Sequence, residues 1–129
     1  MSWRIGDHGF VMGLSPEVPD VIRRRLGPWL EQWLKQQGHA LDQIRSWAIH
    51  PGGPRIVHTV AQSLGLTAAD IAPSLDVLER YGNMSSPTVF FILEALQKRR
   101  ARLPCLTLAF GPGLSMEVAL WDSPAPSDR

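Results

Sequence analysis

Trp47-Ala-Ile-His50-Pro-Gly-Gly-Pro54 decides the fold. Ser46 to Ile49 is an apolar run too short to bury a single face, so it reads as an interior strand covered on both sides. The strand ends on His50. Gly52 and Gly53 then turn the backbone, and Pro54 suits the first position of a helix whose stop is Gly65. Between them Ile56, Val57, Val60, Ala61 and Leu64 recur in steps of three and four, which is one helical stripe. A strand, a glycine turn and a helix put the histidine at the carboxyl end of a strand beside the positive end of a helix, where open α/β sheets hold ligands.

A second stretch downstream, Tyr81-Gly-Asn83-Met-Ser-Ser-Pro87, again delivers a polar side chain at the mouth of a helix. Ser86 is read as its cap, Pro87 as its opening and Val89-Phe-Phe-Ile-Leu93 with Leu96 as its apolar body. A helix apolar nearly all round in its first half is expected to be buried on every side. Its basic end, Lys98 to Arg102, complements the negative end of the helix dipole and has no interleaved aromatics of the kind that stack nucleic-acid bases.

Working outward, Leu66-Thr67-Ala-Ala-Asp70-Ile71 has the pattern of a capping box with a hydrophobic staple. It predicts one short helix there and another through Leu75 to Arg80. Upstream, Asp20 to Gln37 carries a helical stripe closed by Gly38, with Gly27-Pro28 expected to kink or split it. Trp3 to Leu14 reads as a strand weakened by Gly6, Gly9 and Gly13. At the other end, Leu103–Phe110 and Leu114–Trp121 are joined through Gly111-Pro-Gly113 and predict an antiparallel hairpin, the second strand alternating cleanly. Residues 123–129 read as a disordered tail after a single domain over 1–122. The whole is a layered α/β domain with a mixed, five-stranded type of sheet.

Bulk properties narrow the function. The 129 residues suffice for one core, with 44% hydrophobic and 19% charged residues and a formal net charge of +1. That balance gives no general attraction to nucleic acid or anionic membrane. No apolar run reaches the length of about 20 residues that spans a bilayer. The start lacks the segments of a signal peptide, so a cytoplasmic chain is expected. Cys105, the single cysteine, excludes an internal disulfide and a cysteine metal cluster; no metal is expected.

A histidine at a strand end is commonly structural, and Gly-Asn is a common turn pair. Together, however, His50 and Asn83 supply two different hydrogen-bond donors. Such donors suit a thioester carbonyl that gains negative charge, and an imidazolium can also hold a neighbouring cysteine as thiolate.

His50-Pro-Gly-Gly-Pro54, Tyr81-Gly-Asn-Met-Ser-Ser86 and Phe110-Gly-Pro-Gly-Leu114, in this order and spacing, resemble the C-terminal half of type III polyketide synthases, the chalcone and stilbene synthase family. The resemblance runs from about Gly9 to Trp121. It implies half of a thiolase-like fold and an acyltransferase that condenses a starter acyl-CoA with malonyl-CoA by decarboxylation, with CoA thioesters as substrates and no cofactor. His50 and Asn83 would take the catalytic histidine and asparagine roles. Met12, Ser85, Phe110, Gly111, Pro112 and Gly113 would line the cavity, and Arg55 would approach the CoA arm. The nucleophilic cysteine of the family belongs to the N-terminal half and is not replaced by Cys105, so the isolated chain is expected to be inactive. The apolar helix after Pro87, covered by that half in the thiolase arrangement, would be bare in this chain. Its expected partner is therefore either the N-terminal half or a second copy in a twofold homodimer. The alternative is a non-catalytic thiolase-fold relic that binds CoA or another protein.

Overall fold

The computed structural model describes residues 2–7, 9–13 and 15–123, with side chains for 5–7 and 15–123. A hairpin of β1 (Ser2–Gly6) and β2 (Gly9–Gly13) comes first, followed by α1 (Val18–Gln36) and a 3₁₀ turn at Leu41–Gln43. Then come β3 (Ser46–Ile49), α2 (Pro54–Leu64), α3 (Ala68–Tyr81), α4 (Thr88–Lys98) and the closing strands β4 (Cys105–Gly111) and β5 (Ser115–Trp121).

The α/β class and the mixed sheet agree with the sequence reading. The five strands, however, form two sheets: β1 pairs only with β2, and the other three run in the order β3-β4-β5. The single strand read over Trp3–Leu14 is in fact that hairpin, in which Gly6 faces Gly9. The glycines that weaken one strand here mark its reversal. In the main sheet β3 runs parallel to β4, from Ser46 opposite Cys105 to Ile49 opposite Leu108. β5 returns antiparallel, from Gly111 opposite Ser115 to Cys105 opposite Trp121.

Side chains alternate across this sheet as the pleat requires. Trp47, Ile49, Leu106 and Leu108 meet Ile22, Leu26 and Leu30 of α1 and Val57 and Val60 of α2. Ala48 and Cys105 point the other way, onto Val77 of α3 and Ile92 and Leu96 of α4. β3 is therefore buried on both faces, as expected, yet it lies at the edge of the strand order. The outward N–H of Ile49 would be an orphan there. It donates instead to the fully buried hydroxyl of Ser74 on α3, at 3.0 Å.

Two prolines do not break their helices. α1 runs continuously through Gly27-Pro28, and α3 is a single helix through Pro73 rather than two short ones. An interior proline costs about 3 kcal/mol, whereas Ile22, Leu26, Leu30 and Leu34 are all fully buried at about 1.5–3 kcal/mol each. Packing wins. Thr67 and Asp70 form the expected capping box: the Asp70 carboxylate accepts from the Thr67 N–H at 2.8 Å, and the Thr67 hydroxyl accepts from the Asp70 N–H at 3.3 Å. Gly38 at φ +77 closes α1, the His39 N–H reaching the Leu34 carbonyl at 2.9 Å in a Schellman arrangement.

At α4 the cap falls on Pro87, not Ser86, and no side chain caps it. Nor is this helix buried all round. Ile92 and Leu96 face the core, while Phe90 is 68% and Phe91 38% exposed. One sheet can cover only one side of a helix. Among the described residues no helix is long and apolar enough to cross a membrane. The terminal residues 124–129, assigned above to a disordered tail, lie outside the described ones.

Ser74→Ala leaves the Ile49 N–H without its acceptor inside the core. A loss of about 1–3 kcal/mol is expected from chemical denaturation; a loss below about 0.5 kcal/mol would mean that β3 does not depend on this bond.

Candidate active site

Two corners build the site. At the first, the His50 N–H donates to the Leu108 carbonyl at 2.8 Å, one rung beyond the end of β3. The chain then turns, the Gly52 N–H reaching the His50 carbonyl at 3.1 Å, and enters α2 at Pro54. The last rung thus fixes the histidine backbone to the sheet while its side chain projects from the sheet's end.

The second corner joins α3 to α4. Gly82, at φ +72, supplies the left-handed turn that ends α3. The Asn83 side-chain oxygen accepts from the Ser85 N–H at 2.9 Å, an Asx turn. Ser85 has φ +64. Fully buried Thr88 clamps this segment, its hydroxyl accepting from the Met84 N–H at 2.9 Å and its own N–H donating to the Ser85 carbonyl at 3.1 Å.

The corners meet: His50 Nε2 donates to that same Ser85 carbonyl at 2.9 Å. His50 and Asn83 share a cleft of about 480 Å³ at the carboxyl end of the parallel strands. Ser85, Phe110, Gly111 and Pro112 line it. Gly113 does not; with φ +70 it turns away into a separate groove beside Arg24 and Arg25. Arg55 is exposed on the first turn of α2 and is not part of the cleft wall. The side chain of Met12 lies outside the described side chains; its backbone pairs with Trp3 in the β1–β2 hairpin.

Sequence reasoning missed several wall residues. Val18 and Ile56 reach the cleft from α1 and α2, and Glu117 stands at its edge. Strand alternation could have found Glu117, since it lies opposite Ala109, another wall residue. Nothing local marks Val18, which arrives by tertiary packing alone.

The wall is mostly apolar, with the imidazole of His50, the carboxamide of Asn83 and the hydroxyls of Ser85 and Ser86 among its polar groups. The first turns of α2 and α4 both open onto it through Gly52, Ser86 and Val89. The positive ends of these two helix dipoles favour developing negative charge. Cys105 takes no part. It begins β4, whereas His50 continues past the Ile49–Leu108 pair, so four residues or about 13 Å of strand separate their levels. Its thiol is buried, and burial pushes its pKa up despite the opposing hydrogen bond with Ser46.

Among the described residues no group of three or more histidine, cysteine or carboxylate side chains could hold a metal. The basic end of α4 is partly engaged: Lys98 meets Glu94 at 2.7 Å, which raises the lysine pKa through their hydrogen bond, and Arg99 pairs with Asp76.

Residues 1–124 match the family described as chalcone and stilbene synthases, C-terminal domain. The chain is 36% identical over 122 residues to the alpha-pyrone synthesis polyketide synthase-like Pks18 of Mycobacterium tuberculosis, covering 92% of this chain and 31% of that protein. It is likewise 36% identical over 123 residues to 1,3,6,8-tetrahydroxynaphthalene synthase of Streptomyces peucetius, covering 93% and 33% respectively. Among solved structures it is similar to PKS-I of the brown alga Ectocarpus siliculosus, with a TM-score of 0.85 at 30% identity, covering 92% of this chain and 34% of that one. The chain thus spans about a third of the length of these relatives.

A buried thiol with a raised pKa stays protonated where a free cysteine begins to ionise, and only the thiolate reacts. At pH 8 the alkylation of Cys105 by iodoacetamide is expected to be at least about tenfold slower in the folded chain than in denaturant. Equal rates would contradict its burial.

Proposed function

The chain belongs to the chalcone and stilbene synthase family, as its C-terminal domain, and from that premise we propose that it supplies the histidine and asparagine of a type III polyketide synthase acyl-transfer site. What supports this reading is the shared cleft, where His50 and Asn83 converge on one residue, Ser85. Loss of carbon dioxide from a malonyl thioester leaves an enolate, whose oxygen accepts hydrogen bonds from the imidazole and the carboxamide. The enolate carbon attacks the carbonyl of the starter thioester. A carbon–carbon bond forms and the thiolate that carried the starter departs.

That thiolate belongs to a cysteine on polypeptide outside these 129 residues, so the isolated chain carries the donors without the nucleophile. The substrates on this reading are acyl-CoA and malonyl-CoA, with no metal or organic cofactor. Ser85, Phe110, Gly111 and Pro112 would bound the growing acyl chain. Arg55, exposed at the start of α2, would meet the CoA arm outside the cleft, and a cytoplasmic setting would supply these thioesters.

The bare side of α4 supports a need for a partner. Phe90 and Phe91 are exposed, as is Tyr81, whose ring lies 5.1 Å from that of Phe91. An N-terminal half bearing the cysteine would cover this face; in its absence a second copy of the chain would do so.

Mixing the chain with such an N-terminal half is expected to restore malonyl-CoA decarboxylation, measured as carbon dioxide release, where neither part alone has it. His50→Ala and Asn83→Ala should each lower kcat by about 10²–10³-fold; retention of the full rate by both variants would remove them from the chemistry. Light scattering of the isolated chain should report a dimer at micromolar concentration, and a clean monomer would refute self-association through α4.

A further inference from the structure

We propose that the backbone of Ser85 is the positioning element of this site, fixing which nitrogen of His50 carries the proton and which end of the Asn83 carboxamide faces the cleft. The inference takes its catalytic meaning from the acyl-transfer reading, but the contacts themselves do not depend on it.

A carbonyl oxygen can only accept. The 2.9 Å contact between His50 Nε2 and the Ser85 carbonyl therefore requires a proton on Nε2, and in the neutral ring Nδ1 keeps the lone pair. On the other side of the same residue, the Ser85 N–H occupies the Asn83 oxygen at 2.9 Å. The end of the carboxamide left for a ligand is its NH₂, which only donates. One residue thereby turns two ambiguous side chains into two donors of one sense. The Ser85 oxygen also occupies the place on Nε2–H that a thioester oxygen would need, so a substrate carbonyl must displace it.

Ser85 holds this arrangement at φ +64, a left-handed conformation uncommon for a residue with a side chain. It persists because the surroundings over-determine it. Thr88, fully buried, bonds the Ser85 carbonyl through its N–H and the Met84 N–H through its hydroxyl. Both lone pairs of the Ser85 carbonyl are thus taken, one by the start of α4 and one by the imidazole.

Glycine adopts φ +64 without strain, and valine does not. Nitrogen-15 spectra of the neutral imidazoles at pH 8, with His50 assigned by its loss in His50→Gln, read the tautomer directly in the isolated chain. Wild type and Ser85→Gly should both show the proton on Nε2, whereas Ser85→Val should populate both tautomers. In the synthase reassembled with its N-terminal half, Ser85→Val should lower the kcat for malonyl-CoA decarboxylation by about tenfold or more with little change in KM. A proton on Nδ1 in the wild type overturns the proposal, as does a Ser85→Val chain with unchanged tautomer and rate. Should Ser85→Val fail to fold, the wild-type and Ser85→Gly tautomers decide: Nε2–H in both upholds it, and anything else overturns it. An Nε2–H tautomer in a reassembled synthase without activity would uphold the positioning role while ending the acyl-transfer reading.

Discussion

The parallel pairing of β3 with β4 is the constraint on which the rest of this structure depends. Its last rung, from the His50 N–H to the Leu108 carbonyl, is where the two strands part. β3 turns off through Pro51, Gly52 and Gly53 into α2, and β4 runs on to Gly111. Two strands that separate at their carboxyl ends leave a crevice between them. The cleft is therefore a consequence of topology, and its contents are whatever the turns place there. The pairing in turn depends on burial from both sides, by α1 and α2 on one face and by α3 and α4 on the other.

Much of this was legible in the sequence because local chemistry and tertiary structure agree. Pro54 and Gly65 punctuate α2, Thr67 and Asp70 cap α3, and the alternation of Met116, Val118 and Leu120 places β5. The failures occur where a long-range term overrides a local one. Gly27-Pro28 predicts a kink or split in α1, and two short helices are expected where α3 runs unbroken; a missing donor is a local cost, while the buried stripes that offset it depend on partners far along the chain. The β1–β2 hairpin was hidden because three glycines can equally weaken a strand or reverse it. In the cleft, Phe110, Gly111 and Pro112 were expected from the family resemblance alone, and they stand at the end of β4 and just past it. Gly113, expected with them, does not line it, because a single positive φ sends it to the other side of the turn, and Val18 arrives from α1 without any sequence neighbour in the site.

The two sides of α4 pose opposite demands. Ile92 and Leu96 point inward and are buried, while Phe90 and Phe91 point outward into water. A surface helix ordinarily carries charge on its outer side; this one keeps aromatic rings there, adjoined by Tyr81. Full burial of a phenylalanine is worth about 1.5–3 kcal/mol, so the exposed side forgoes stabilisation that its composition could provide. Such a side is suited to a second apolar layer, and this domain covers only the opposite one.

The same helix connects that bare surface to the chemistry. Thr88 begins α4 and fastens Ser85, whose carbonyl holds the imidazole and whose N–H holds the carboxamide oxygen. Any body that packs on Phe90 therefore bears on a helix whose first turn anchors the histidine contact two positions before it. Packing on α4 and alignment of the donors are mechanically joined through a segment of four residues, Ser85 to Thr88, one of them strained. Had the donors been carried on a long flexible loop, covering the helix would leave them free to reorient. Mounted as they are, the exposed aromatic surface and the two side chains of the cleft belong to one corner.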